Sequence, residues 1–320
     1  MGHIVAISGP PAGGKTSQVE AWVKRGYTRI NRDELGGSLK EDGAVYETLR
    51  QKAAAGVQNF VLDNLYGTKE SRATLVKVAK GLGANLTLVW LQTTKEQAQF
   101  FASLRQVRKY GKLFKAADYK EHRSDPGAFP PGAQFAYWNK FEEPTTAEGF
   151  DEIVRVPVVI DLGPEYKNKA VIFDYDGTLR DTKSGDKYPR DPNDVVLLPN
   201  RREVVQRLAQ AGWLILGASN QSGISKEPGH PKYVSEAAAI SCFEKTNDLL
   251  GVKVDYLYAP DAAGAPQTFF PKPCPGMGVY FIEKYKLNPS ACVYVGDLTK
   301  DRTFADRCGF QFVLAEDFFK

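Results

Sequence analysis

The sequence predicts an α/β protein of two domains, each a parallel sheet flanked by helices. Three observations predict it. Short apolar runs alternate with helix-period stretches through both halves of the chain, the pattern of β-α units that build parallel sheets. Many of these runs end in polar or acidic residues, as strands do where a parallel sheet gathers its ligands. Two phosphate-type motifs stand at such ends: Gly9-Pro-Pro-Ala-Gly-Gly-Lys-Thr16 near the start, and Asp174-Tyr-Asp-Gly-Thr178 past the midpoint. A chain of 320 residues has room for two ordinary domains. Leu162-Gly163-Pro164 punctuates it, dividing 1–162 from 163–320.

In the first half, His3–Ser8 reads as a buried strand, followed by a Gly-rich loop and a helix through Val19, Trp22 and Val23. Strand, G-x-x-x-x-G-K-T and helix together make a phosphate-binding loop. Gly9, Gly13 and Gly14 let backbone N–H groups converge on phosphate oxygens, and the helix amino terminus adds partial positive charge. Lys15 is expected to bridge the β- and γ-phosphates of a nucleotide, and Thr16 to hold Mg²⁺. A second strand, Tyr27–Ile30, is tipped by Asn31-Arg32-Asp33-Glu34. Asp33 there can take a proton from an attacking hydroxyl or simply cap a helix. A helix over Glu41–Ala55 leads to strand Phe60–Asp63, whose tip is a metal-water or substrate contact or a turn. Helix Lys69–Gly81, strand Asn85–Leu91 and helix Thr94–Lys109 continue the alternation. The last carries Arg105, Arg108 and Lys109, placed as a lid over nucleotide phosphates would place them. Residues 124–146 read as an irregular segment of Pro, Gly and aromatics, and Val154–Val159 as an edge strand interrupted by Pro157.

The second half repeats the logic. Strand Lys169–Asp174 ejects two carboxylates, Asp174 and Asp176. Like charges so close raise one pKa unless a cation is present; with Mg²⁺, one carboxylate can bind metal and attack phosphorus while the other moves a proton. Helix Asn200–Ala211 precedes strand Trp213–Ala218, which ends in Ser219-Asn220-Gln221. Helix Tyr233–Leu250 and strand Val254–Ala259 follow. Lys272 lies before helix Gly276–Tyr285. Strand Cys292–Val295 ends in Gly296-Asp297, with Asp301 four residues on, and a final helix and strand close the chain.

Composition sets bounds. Hydrophobic residues are 42% and charged residues 25%, the balance of a soluble globular protein, and no apolar run reaches membrane-spanning length. Four scattered cysteines without a C-x-x-C pair predict a reducing, cytoplasmic setting. Only three histidines, His3, His122 and His230, argue against a multi-histidine metal site or a histidine-centred catalytic machine. Residues 1–160 hold 22 basic and 17 acidic residues, and within Arg105–Arg123 there are seven basic and two acidic. Such a cluster suits a polyanion or a solvated helix face.

The second-half motifs, taken in order, resemble the haloacid dehalogenase phosphatase superfamily. That resemblance implies a Rossmann-like sheet with a small cap or none. It implies Asp174 as the nucleophile that forms an aspartyl-phosphate, and Asp176 as general acid and then base. Ser219 would hydrogen-bond the transferring phosphoryl group, and Lys272 would neutralise its charge and hold Asp174. Mg²⁺ would sit on Asp174, Asp297 and the Asp176 backbone carbonyl, with Asp301 supporting the site. More finely, Ser184-Gly-Asp-Lys-Tyr-Pro189 and Ser219-Asn-Gln-Ser-Gly-Ile224 look like the phosphatase half of polynucleotide kinase–phosphatases. A related sugar-phosphate branch adds a Cys/His zinc loop before the Lys motif, where this chain has only Cys242 and His230 in residues 222–271.

The first half looks like the P-loop NTPase-like kinase domain of the same enzymes. The matching stretches are the phosphate loop, Ile30-Asn-Arg-Asp-Glu-Leu-Gly36, Asp63-Asn64 and Phe141–Phe150. This implies Asp33 as the base that activates a 5′-hydroxyl, and Arg105 with Arg108 or Lys109 on the ATP phosphates. One departure is Gly36, where the phage-type enzymes carry an Arg for the substrate phosphate, so that Arg32, Arg72 or another base must serve. The resemblance implies a bifunctional end-healing enzyme using ATP and Mg²⁺ on RNA or DNA ends, coupled to a ligase, with no membrane partner. The alternative is a bifunctional kinase/phosphatase of small molecules such as sugars or nucleosides.

Overall fold

The computed structural model describes residues 2–35, 43–262, 264 and 266–320. The chain divides into two compact units. One comprises residues 1–102 and 124–160, the other residues 103–123 and 161–320. The sequence division at 162 differs from this over 103–123. Those residues are tied to the second unit by side chains: Arg108 pairs with Glu283, and Lys115 with Glu236.

The first unit is built on five parallel strands: β1 (His3–Ser8), β2 (Thr28–Asn31), β3 (Asn59–Asp63), β4 (Asn85–Leu91) and β5 (Glu152–Val156), in the order β2-β3-β1-β4-β5. Alternate residues of β1 feed different cores, as the two-residue strand period requires. Ile4 and Ala6 pack with Ile30, Phe60, Leu62 and Leu75, whereas Val5 and Ile7 pack with Val19, Val61, Val89 and Leu91. The sheet is therefore apolar on both faces, the signature of a parallel sheet covered by helices.

Two sequence expectations are corrected here. Within 124–146, residues Pro131–Lys140 form a helix. Pro131 opens it at a position where the missing N–H costs nothing and the fixed φ suits a first turn. The edge strand is Glu152–Val156; Pro157 ends it rather than interrupting it, because proline has no N–H for the ladder. The helix expected from Glu41 is described from Gly43 to Ala54, and the Gly36 departure lies outside the described residues.

The second unit has a parallel sheet of β6 (Ala170–Phe173), β9 (Leu214–Asn220), β10 (Asp255–Ala259), β11 (Val293–Gly296) and β12 (Gln311–Leu314), ordered β10-β9-β6-β11-β12. A short antiparallel hairpin of β7 (Arg180–Thr182) and β8 (Val195–Leu197) follows β6. The sequence reading gave it no strands, because three-residue segments carry too little periodicity to register. The core gathers Val171, Phe173, Tyr175, Phe243 and Val295. Tyr175 points inward between the two carboxylates. Its ring lies where a side chain on Gly217 would stand, since a Cβ there would come within 2.4 Å of Cε2.

Candidate active sites

Each sheet brings its polar residues to the carboxyl edge of its central strand. In the second unit, β6 lies between β9 and β11, so Asp174 and Asp297, just past β6 and β11, stand beside Ser219 in the last residues of β9. Lys272 arrives from the loop before helix Gly276–Tyr285 and is held at its main chain by Asn220. Asn220 Nδ2 donates to the Lys272 carbonyl at 3.0 Å, and Lys272 N–H donates to Asn220 Oδ1 at 2.9 Å. The Lys272 ammonium then reaches Asp174 Oδ1 at 2.9 Å, Asp301 Oδ1 at 2.7 Å and the Tyr294 hydroxyl at 2.7 Å. Asp301 is fully buried and also accepts from Leu298 N–H at 3.1 Å.

The electrostatics follow from this burial. Loss of solvent pushes Asp174 up to about 6; Lys272 opposes the rise, and Asp301 and Asp176 add to it. Burial alone would lower Lys272, but Asp174 and Asp301 outweigh it and raise the ammonium above its ordinary value. Burial raises Asp297, helped by Asp301. One carboxylate oxygen from each of Asp174, Asp297 and Asp301 lies within 4.8 Å of the others. Three carboxylates drawn together, two of them shifted upward, form an oxygen donor set that fits a hard divalent cation. Gly177 makes the approach possible: its φ is +81°, and a Cβ would stand 2.7 Å from Asp297 Oδ2.

Asp176 points away from this triad. Its Oδ1 accepts from Arg180 Nε at 2.7 Å, and its Oδ2 accepts from Gln221 Nε2 at 2.9 Å. Gln221 Nε2 also lies 3.1 Å from Ser219 Oγ. Arg180 is 1% exposed, with its guanidinium 4.7 Å from the Phe243 ring centre and 3.2 Å from Thr246 Oγ1. The sequence reading missed Arg180, Gln221 and Tyr294. Gln221 lies within the Ser219-Asn-Gln motif without having been given a role, and Arg180 was hinted at only by standing four residues past Asp176.

In the first unit, the phosphate loop joins β1 to helix Lys15–Val23. Gly14 takes φ +87°, and a Cβ on Gly13 would stand 2.8 Å from Pro10. Lys15 Nζ donates to the Gly9 and Pro10 carbonyls at 3.1 and 2.8 Å, and Thr16 is exposed in the first helical turn. Asp33 follows β2, two strands from β1 and so about 10 Å across the sheet. Asn31 shapes its turn by accepting from the Asp33 and Glu34 N–H groups at 2.7 and 3.2 Å. Asp63 Oδ2 accepts from Arg29 at 2.9 Å and Asn31 at 2.8 Å.

Two basic residues stand elsewhere than the sequence suggested. Arg72 is fully buried, held bidentately by Glu148 at 2.6 and 3.0 Å and donating to the Tyr66 and Glu142 carbonyls. It is a strut for the Phe141–Phe150 segment, and no face of it is left for a substrate phosphate. Arg108 donates to Glu283 at 3.0 Å and to Tyr166 at 2.7 Å, both in the second unit to which it belongs. Arg105 is exposed on the same helix.

Fold and sites together give two parallel sheets, one with a phosphate-loop motif after its central strand and one with a carboxylate–lysine cluster there. Residues 169–319 match the family described as polynucleotide kinase 3 phosphatase, and residues 4–109 match an AAA domain. The two matches lie in one order along the chain, a segment similar to an AAA domain first and a segment similar to polynucleotide kinase 3 phosphatase second. Over 156 residues it is 26% identical to a bifunctional polynucleotide phosphatase/kinase of Schizosaccharomyces pombe, covering 48% of this chain and 33% of that protein. The chain therefore spans about a third of that relative's length. It is 27% identical over 145 residues to a D-glycero-beta-D-manno-heptose-1,7-bisphosphate 7-phosphatase of Bordetella bronchiseptica, covering 44% of this chain and 76% of that one. A solved structure of a Pnkp1/Rnl/Hen1 complex aligns over 98% of this chain and 96% of that one, at 14% identity and a TM-score of 0.34.

Proposed function

We propose that the chain is a nucleic-acid end-healing enzyme, with a 5′-hydroxyl kinase in residues 1–162 and a 3′-phosphatase in 163–320. The observation that carries it is the Asp174–Lys272–Asp301 cluster at a strand tip, within a segment that matches the polynucleotide phosphatase family. At the phosphatase site, an Asp174 oxygen attacks phosphorus and the bond from phosphorus to the 3′-oxygen breaks. The leaving oxygen keeps the electron pair and takes a proton from Asp176. Water then attacks the aspartyl-phosphate as Asp176 takes its proton, releasing inorganic phosphate and restoring Asp174. Lys272 offsets charge on the phosphoryl oxygens, Ser219 donates to one of them, and Arg180 and Gln221 orient Asp176. Mg²⁺ held by Asp174 and Asp297, with Asp301 behind them, would supply Lewis-acid neutralisation of the phosphate.

At the kinase site, Gly9, Gly13, Gly14 and Lys15 cradle the phosphates of ATP, and Thr16 contributes to its Mg²⁺. Asp33 takes the 5′-hydroxyl proton as that oxygen attacks the γ-phosphorus and ADP leaves. Arg105 serves the ATP phosphates from its helix. Arg108 joins it only if it leaves Glu283 and Tyr166. A 5′-phosphate beside a 3′-hydroxyl is the substrate of a ligase, which fixes the class of the next enzyme. Four buried free thiols favour a reducing, cytoplasmic setting. Among the described residues, no helix is long and apolar enough to cross a membrane.

The small-molecule reading keeps one observation in its favour, the similarity to a heptose bisphosphate phosphatase. Phosphate release from 3′-phosphorylated oligonucleotides and from heptose and nucleoside phosphates, at matched concentrations, separates the two. Preference for the oligonucleotides is expected. A preference for the sugar phosphates would overturn the end-healing assignment.

A further inference from the structure

A phosphate loop works only if its N–H groups point inward, which forces its carbonyls outward. Carbonyls turned out into a packed protein need donors. In this chain most of the donors are side chains; the Gly13 N–H also donates to the Pro10 carbonyl, at 2.9 Å. Lys15 serves Gly9 and Pro10. Gln134 Nε2 donates to the Pro11 carbonyl at 3.1 Å, and Thr93 Oγ1 donates to the Gly13 carbonyl at 2.8 Å. Thr93 is 2% exposed and Gln134 is fully buried. Gln134 Nε2 also donates to the Ala98 carbonyl at 2.8 Å, in helix Lys95–Tyr110, so one amide spans the loop and that helix. It stands on the proline-opened helix Pro131–Lys140. On the same helix, the Tyr137 ring covers Gly67 so closely that a Cβ there would lie 2.6 Å from it.

We propose that Gln134 and Thr93 are positioning residues of the phosphate loop, setting its amides for nucleotide phosphates by fixing the Pro11 and Gly13 carbonyls outward. Neither touches the nucleotide; both act through the main chain between them. Removing either donor lets the loop rotate a peptide toward the phosphates, placing a carbonyl where an N–H belonged. The cost falls on nucleotide affinity more than on turnover, because the loop binds phosphates in the ground state as well as in the transition state. This rests on the kinase reading above.

The test measures ATP KM and kcat for 5′-phosphorylation of an oligonucleotide, with Mg-ATP affinity by calorimetry, in Gln134→Met, Thr93→Val and Thr93→Ser. Lys15→Ala serves as the loss-of-binding reference, and p-nitrophenyl phosphate turnover and thermal unfolding report on the fold. Gln134→Met and Thr93→Val are expected to weaken ATP about tenfold, the scale of one hydrogen bond, with kcat within about threefold. Thr93→Ser keeps the hydroxyl and is expected to restore wild-type affinity. An unchanged affinity in both donor-free variants would overturn the inference. So would a fall in kcat alone with a lowered melting point, which marks a merely structural role. If the wild-type chain itself fails to bind Mg-ATP, the kinase reading fails and the inference falls with it.

Discussion

Asp174 is a buried carboxylate beside two others, and its chemistry follows from that placement. Its pKa stands near 6 against an ordinary 3.8. Between those values the folded protein holds more protons than the unfolded chain, so this group's contribution to stability falls as pH rises through that window. A divalent cation reverses the penalty by favouring the ionised form. The rise in melting temperature on adding Mg²⁺ is therefore expected to be larger at pH 7 than at pH 5, where protons compete for Asp174. An equal or larger rise at pH 5 would exclude Asp174 from the cation site. Arg180 supplies a second prediction. Arg180→Met removes a donor from Asp176 and is expected to lower phosphatase turnover by about 10²-fold, the lower end of what a positioned acid-base group contributes. Steady-state rates on a 3′-phosphorylated oligonucleotide check it, with 5′-kinase activity as the internal standard. Asp174, Lys272 and Asp297 were legible in the sequence because motif chemistry demands those residue types at strand tips. Gln221 and Tyr294 were not given roles, because their contacts with Asp176 and Lys272 depend on packing across β6, β9 and β11; Arg180 was not, because its pairing with Asp176 depends on the tight turn into β7.

At the scale of elements, strands were read more securely than the segments between them. Helix Lys69–Gly81 and strand Asn85–Leu91 appear within the bounds expected. The helix Pro131–Lys140 was obscured by prolines and aromatics that serve its start and its packing. The Phe141–Phe150 stretch, recognised as a motif, turns out to be a clamp on Arg72. Burial would raise Glu148, but the hydrogen bonds from Arg72 and the Thr145 N–H outweigh it and hold the carboxyl below its ordinary 4.5. A depressed folded value means stability that is present above the ordinary carboxyl range and lost as pH falls below it. Glu148→Gln leaves Arg72 as an uncompensated buried charge and is expected to destabilise the first unit by about 3–5 kcal/mol. Denaturant unfolding followed by tryptophan fluorescence reads this, with the loss shrinking as pH falls below about 4. A cost under about 1 kcal/mol at neutral pH would show that Arg72 is held by its carbonyl partners alone.

At the scale of the whole molecule, each unit has its own sheet, its own core and its own polar edge. The division of labour was legible because each half opens on a strand followed by a phosphate-type motif. The assignment of residues 103–123 was not, because it depends on the Arg108–Glu283 and Lys115–Glu236 pairs, between residues far apart in sequence. Two self-contained sites predict that inactivating one leaves the other working. The most direct measurement assays Lys15→Ala and Asp174→Asn side by side on one oligonucleotide bearing a 5′-hydroxyl and a 3′-phosphate. The expected result is that Lys15→Ala loses 5′-phosphorylation and keeps 3′-phosphate release, while Asp174→Asn does the reverse. If either substitution abolished both activities in a folded protein, the two-site assignment would be wrong.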